Sequence, residues 1–359
     1  MLLIFLFLAV SLPLSSATAP PPEVRVPLGL PALPVRPADD VTIALGRQLF
    51  FDRRISFNET MSCGMCHIEE QGLTSNQLAT SVGMEGKSLR RNAPSLFNVV
   101  YETRLFRDGR ENSLETQAWS PILSPEEMAA PSIGWALAKI RSLPEYPELF
   151  ERAFPGRGVS METVGSAIAA YERSLLLGNS RFDRWRYGGE KDALSAKEKL
   201  GYELFTGKAG CSACHQIGSG SALFTDGQFH DTGIAYPNTM GLHRNDFDVR
   251  LADGNFTQRS QEDVRAISNP LPNDLGRFEV THEVADRWAF KTPSLRNVAL
   301  SAPYMHDGSL KTLTDVVDYY NAGGYDTPNK SPLIKPLALT DDEKQALVGF
   351  LNALTGARP

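Results

Sequence analysis

All four cysteines of the chain occur in two copies of one pattern, Cys63-Gly64-Met65-Cys66-His67 and Cys211-Ser212-Ala213-Cys214-His215. A thiol pair at this spacing can form thioethers to the two vinyl groups of one haem, and a histidine directly after the second cysteine then reaches the iron as its proximal ligand. Other chemistry could use the same atoms: two disulfides, one zinc site made from all the thiolates, or a pair of redox dithiols. Zinc does not require a histidine after each second cysteine. Thioredoxin-like dithiols sit in an alternating strand and helix pattern that this chain lacks. The spacing therefore predicts two covalently attached c-type haems, with His67 and His215 on the irons.

The other histidines are His230, His243, His282 and His306. None lies between His67 and His215, so the first haem has no local histidine to close its second axial position. Met84 offers a thioether there, although methionine in an apolar loop more often packs. Downstream of the second pattern, Tyr319 and Tyr320 offer phenols on an expected helix from Leu313 to Tyr320, where spacing alone reads them as amphipathic aromatics. His230, in a loop after the second pattern, could line that haem, while His243 and His282 read as solvated loop residues. Glu127 offers a carboxylate, a group that can take up and return a proton. The run Ser124-Pro125-Glu126-Glu127 also reads as a capping box for a helix starting near Ser124.

Helical periodicity introduces each cysteine pattern. Asp40 to Phe51 precedes the first, and Ser195 to Phe205 precedes the second. Further helices are expected at Met161 to Leu177 and Asp341 to Leu354, each closing a domain. Each pattern is also followed by a similar phrase, Arg91-Asn92-Ala93-Pro94-Ser95-Leu96-Phe97-Asn98-Val99 and Lys291-Thr292-Pro293-Ser294-Leu295-Arg296-Asn297-Val298, the mark of a duplicated unit. The expected fold is mainly α, two cytochrome c-like haem domains packed together with long irregular loops. They would span 38–188 and 189–359, divided at the turn-rich Tyr187-Gly188-Gly189-Glu190. The stretch between Gly218 and Phe290 has too little periodicity to assign.

The chain opens on an apolar run too short to cross a bilayer comfortably and then small residues, which reads as a signal peptide over 1–19 and export to the periplasm; an uncleaved anchor is the alternative. Residues 20–37 are rich in proline and read as an extended tether, with folding starting near Ala38. The 359 residues, 42% hydrophobic, suffice for two cores. A net charge of −6 without dense basic runs argues against nucleic acid as a partner. Membrane contact is expected to be peripheral or absent.

Several stretches, taken together, resemble the bacterial di-haem cytochrome c peroxidase and MauG family: Arg91-Asn92-Ala93-Pro94, Asp108-Gly109-Arg110, Glu115-Thr116-Gln117-Ala118, Pro121-Ile122, Glu127-Met128, Thr292-Pro293-Ser294-Leu295-Arg296-Asn297 and Ala302-Pro303-Tyr304-Met305-His306-Asp307-Gly308. The resemblance covers nearly the whole chain after the tether. It implies hydrogen peroxide as substrate at the N-terminal haem and an electron-transfer or charge-storing role for the C-terminal haem. By motif position it makes Gln117 and Glu127 the distal pair of the peroxide pocket and Pro121 the residue limiting access. It implies a calcium ion between the domains, on the Asn92 side chain and the carbonyls of Ser301 and Pro303. It makes Tyr320 the second axial ligand of the second haem, with Tyr319 the competitor one residue away, and His306 a partner of a haem propionate. A phenolate in place of the common methionine lowers the haem potential and marks the MauG- or MbnH-like subtype.

Two positions depart from the family. Arg107 stands where a tryptophan between the haems is common, and no tryptophan precedes Cys211, where MauG has one. Trp288 is then a candidate relay or exit point, with core packing as its ordinary role. The resemblance thus implies a peroxide-dependent oxidase acting on a protein residue such as tryptophan. The alternative is a peroxidase that takes electrons from a small cytochrome or cupredoxin. A third reading, a di-haem electron carrier, leaves Gln117 and Glu127 without a use.

Overall fold

The computed structural model describes residues 25–240, 246–252, 255–260 and 273–357. The expected signal peptide and His243 lie outside the described residues. Among the described residues the fold is mainly α, with two short antiparallel pairs of strands.

The helix Asp40–Phe51 starts where the Asp39 carboxylate accepts the Thr42 N–H at 2.8 Å. It buries Leu45, Leu49 and Phe50 against the helix Met161–Ser174, which Ser160 and Thr163 open with a reciprocal cap. The two backbones meet at Gly46, where any Cβ would strike the Ala167 carbonyl oxygen. The second half repeats this construction. The helix Ala196–Thr206, capped by Ser195 and Glu198, packs on Asp341–Asn352, capped by Thr340 and Glu343, and here Gly201 lies against the Ala346 carbonyl. Each helix pair anchors its own core, one including Phe50, Tyr146, Phe150 and Ile168, the other Phe182, Phe205, Phe224 and Phe350.

The similar phrases do equivalent work in the two halves. The Thr74 hydroxyl donates to the Ala93 carbonyl and the Thr225 hydroxyl to the Thr292 carbonyl; the Ser95 and Ser294 hydroxyls donate to the carbonyls of Gly72 and Leu223. Each phrase ends on an asparagine in the left-handed region, Asn98 at φ 64° and Asn297 at φ 61°, and both side chains donate to the Leu177 carbonyl. Asparagine tolerates that backbone because its short polar side chain can bond locally.

Sequence expectation and structure differ at three places. Residues 25–37 are not a free tether: Leu30 is buried, the Tyr101 hydroxyl donates to the Pro31 carbonyl, and the Gly29 carbonyl accepts from Ala222 N–H and from the Arg296 guanidinium. Prolines here hold an extended strap whose carbonyls are taken up by both halves. The change from first to second core falls between Tyr171 and Phe182, ahead of 188, because the helix Arg181–Arg186 puts Phe182 among Phe224 and Phe350. No helix starts at Ser124; residues 125–128 form a turn, and the Glu127 N–H returns to the Ser124 carbonyl at 3.0 Å.

The stretch left unassigned supplies both strand pairs, Phe229–His230 with Phe290–Lys291 and Asp246–Ala252 with Asn255–Ser260. It also supplies the ionic seam between the halves. Arg91 pairs with Asp108 and with Asp274, each at 2.6 Å, and Arg90 with Glu279 at 2.6 Å.

Candidate active site

Cys63–Met65 is one turn of 3-10 helix, in which the Cys63 carbonyl accepts the N–H of Cys66 and of His67. The His67 Nδ1–H donates to the Leu73 carbonyl at 2.9 Å, with the Pro94 carbonyl also in hydrogen-bonding reach of the ring. This fixes the tautomer and leaves Nε2 for a metal. Burial lowers the His67 pKa, so the ring is held neutral, the form that ligates iron. The second motif is built alike: Cys211–Ala213 is a 3-10 turn, and His215 Nδ1–H donates to the Phe224 carbonyl at 2.9 Å. Phe50 and Phe205, from the preceding helices, lie 6.2 and 6.5 Å from the two imidazoles. None of the four cysteines is in a disulfide.

Around His67 opens a cavity of about 590 Å³, within the usual range for cofactor sites. Gln117, Pro121 and Glu127 all line it together with Cys63, Cys66 and His67. Gln117 ends the short helix Leu114–Gln117, Pro121 lies in the next, Trp119–Leu123, and the turn after that presents Glu127. Burial pushes the Glu127 carboxyl above the ordinary range; the nearby Arg110 guanidinium and a hydrogen bond from the Ser124 hydroxyl act in the opposite direction. Met84 is buried in the first core and is not part of the cavity wall.

Arg110 and Glu172 are among the cavity residues to which the sequence assigned no role. Glu172 is the sharper omission: it is buried, its Oε2 has no partner among the described residues, and burial raises its pKa to about 8. Its signal was legible, since it follows Ile168 by one helical turn on an apolar face.

At the second motif the two tyrosines separate. The Tyr319 hydroxyl donates to the Thr232 carbonyl at 2.7 Å and accepts from the Tyr325 N–H at 3.3 Å. Tyr320 lies beside Cys211, Cys214 and the Thr232 side chain. His230 Nε2 bonds the Asp226 carboxylate at 2.8 Å, and Cys214, Asp226 and His230 come close enough to suggest a metal site, but thioether formation takes up that sulfur. His306 is buried and stacked on Phe290 at 4.0 Å, and its Nδ1 has no partner among the described residues. His282 is exposed. Trp288 is buried, with its ring edge-on to Tyr236 at 4.8 Å, so it packs inside and offers no surface exit.

The residues fit haem at both motifs: paired thiols, a neutral histidine with Nδ1 engaged, a cavity beside the first, and an orphaned His306 nitrogen in the junction. The donors proposed for calcium fit less well. Asn92 is drawn to the loop of Ser301 and Pro303 by its N–H to the His306 carbonyl, at 2.6 Å, but its Oδ1 already accepts from the Arg107 guanidinium at 3.0 Å.

Two haem-attachment turns on duplicated helical units, with a cavity lined by carboxylates at one of them, define a di-haem c-type cytochrome built as an enzyme. Comparison with known proteins agrees. The family model for di-haem cytochrome c peroxidase matches residues 40–192. The methylamine utilization protein MauG of Methylorubrum extorquens is 36% identical over 92% of this chain and 82% of its own length. The cytochrome-c peroxidase IdrP1 of Denitromonas iodatirespirans is also 36% identical, over 99% of this chain and 93% of its own. The crystal structure of a MauG-like protein associated with microbial copper homeostasis superposes with a TM-score of 0.73 at 30% identity, covering 93% of this chain and 94% of that one. The chain belongs to the di-haem cytochrome c peroxidase/MauG family, and is a peroxide-dependent oxidoreductase carrying two c-type haems.

Proposed function

We propose that peroxide reacts beside His67 and that the oxidising equivalents pass to a protein partner, where a residue such as tryptophan is oxidised. Reducing hydrogen peroxide to two waters consumes two electrons and two protons, and the bound haems supply the electrons. Glu127 accepts the proton of the near oxygen and returns it to the far one, so that water leaves instead of hydroxide. Gln117 donates from its amide to hold the peroxide, and Pro121 limits what else can enter. The shared cavity and the raised Glu127 pKa support these roles.

The observation carrying the MauG-like reading is Tyr320 beside Cys211 and Cys214 while the Tyr319 hydroxyl is engaged with backbone. A phenolate on the second iron disfavours acceptance of electrons from a carrier. The absence of a histidine between His67 and His215, and the burial of Met84 in the core, support a first haem open to peroxide at rest. The apolar opening of the chain supports export to the periplasm, and among the described residues no helix is long and apolar enough to cross a membrane.

The test uses the ferric holoprotein. Rapid reaction with peroxide before any reduction is expected, and Tyr320→Phe should change the optical and magnetic-resonance signature of one haem. A wild-type protein sluggish until its second haem is reduced, or a Tyr320→Phe spectrum identical to wild type, overturns the reading. Either result favours the second reading, a peroxidase fed by a small cytochrome or cupredoxin, which the equal similarity to IdrP1 also supports.

A further inference from the structure

Arg107 brings a cation into the junction between the two halves, at the wall of the cavity beside His67. Among the described residues its Nε is buried without a partner, and its Nη2 donates to Asn92 Oδ1 at 3.0 Å. Asn92 is 3% exposed, and its Nδ2 donates to the Ala79 carbonyl at 3.1 Å. Exchanging the amide atoms would set N–H against guanidinium and oxygen against carbonyl, so the side-chain oxygen is committed to Arg107.

Calcium would require that oxygen at about 2.3–2.6 Å. A divalent ion there would stand next to a guanidinium in a site screened little by water, and like charges repel strongly under such conditions. The groups facing Arg107 are the carboxylates of Glu102 and Asp307 and the cation of Arg91. Glu102 is paired with Lys291, and Arg91 with Asp108 and Asp274. An arginine guanidinium keeps its charge at neutral pH, so Arg107 stands here as a cation.

The same two residues tie the halves together through their backbones. The Lys291 N–H donates to the Arg107 carbonyl at 2.9 Å, and the Asn92 N–H to the His306 carbonyl at 2.6 Å. We propose that the Arg107 guanidinium is the resident cation of this junction, bound to Asn92 Oδ1 in the place of a calcium ion, so that the chain holds its two halves in register without a divalent metal. The inference is independent of which partner receives the oxidising equivalents.

The experiment is elemental analysis and thermal unfolding of the holoprotein purified without chelator. Wild type is expected to carry less than about one tenth of a calcium per chain, with a midpoint that neither EGTA nor millimolar calcium shifts. Arg107→Gln frees the oxygen, and its midpoint should rise on adding calcium. One calcium per wild-type chain, removed by EGTA with a fall in the midpoint, overturns the proposal even if the variant does not fold. A wild-type midpoint that rises with added calcium overturns it equally.

Discussion

At the scale of single residues, Glu127 shows what sequence and structure each contribute. The family resemblance paired it with Gln117 as a catalytic group, while Ser124-Pro125-Glu126-Glu127 taken alone read first as a helix cap. The backbone removes the cap reading, because Pro125 and the residues after it close a turn and no helix starts there to be capped. The Glu127 carboxylate accepts a proton only above its pKa, and burial raises that pKa. The rate of reaction with peroxide should therefore fall as pH drops through a point above the ordinary carboxylate range. Glu127→Gln should lower that rate by roughly 10²–10⁴-fold and remove the acid limb. Stopped-flow pH profiles check this, and an acid limb that persists in the variant would assign the proton to another group, such as the buried Glu172 of the same cavity. Glu172 itself was overlooked because a charged residue on an apolar stripe looks like noise until its neighbours are known.

At the scale of elements, the helices were largely legible. The structure has Asp40–Phe51 as expected, and Met161–Ser174, Leu313–Asn321 and Asp341–Asn352 within a few residues of the expected ends. Caps and periodicity are local signals, which is why they survive in the bare sequence. What was not local is the pairing of these helices through Gly46 and Gly201. Alanine normally favours a helix over glycine by about 1 kcal/mol. Here a Cβ on Gly201 meets the Ala346 carbonyl, which belongs to rigid helix backbone. Gly201→Ala is expected to destabilise the second unit by about 1–3 kcal/mol through overpacking. Denaturant unfolding of the holoprotein checks the sign, and a stabilised variant would mean that the two helices can separate without loss.

At the scale of the whole molecule, the strap over 25–37 is held to the second half through the guanidinium of a buried ion pair. Arg296 and Asp183, 2% and 0% exposed at their side chains, bond at 2.9 Å, and the same guanidinium donates to the carbonyls of Gly29 and Ala222. A buried pair need not add net stability, but removing one partner leaves the other charged and dry, at a cost of about 3–5 kcal/mol. Asp183→Ala should lose that much in denaturant unfolding and expose the strap to limited proteolysis near Gly29. A loss under about 1 kcal/mol would show that water reaches the guanidinium. Arg296 was visible only as part of a repeated phrase, because its carboxylate lies 113 residues away.

The two cysteine patterns, each with its adjacent histidine, and the duplication were determined by sequence alone, since covalent haem attachment demands a short fixed spacing and a duplicated unit repeats its caps and phrases. Tertiary structure decided what depends on neighbours distant in the chain. It brought Gln117, Pro121, Glu127 and Glu172 to one cavity, engaged Tyr319 while leaving Tyr320 beside the second motif, drew the proline strap onto both halves, and set a guanidinium on the oxygen expected to hold calcium. Burial and charge pairing, which act through space, govern each of these, and the order of residues does not encode them directly.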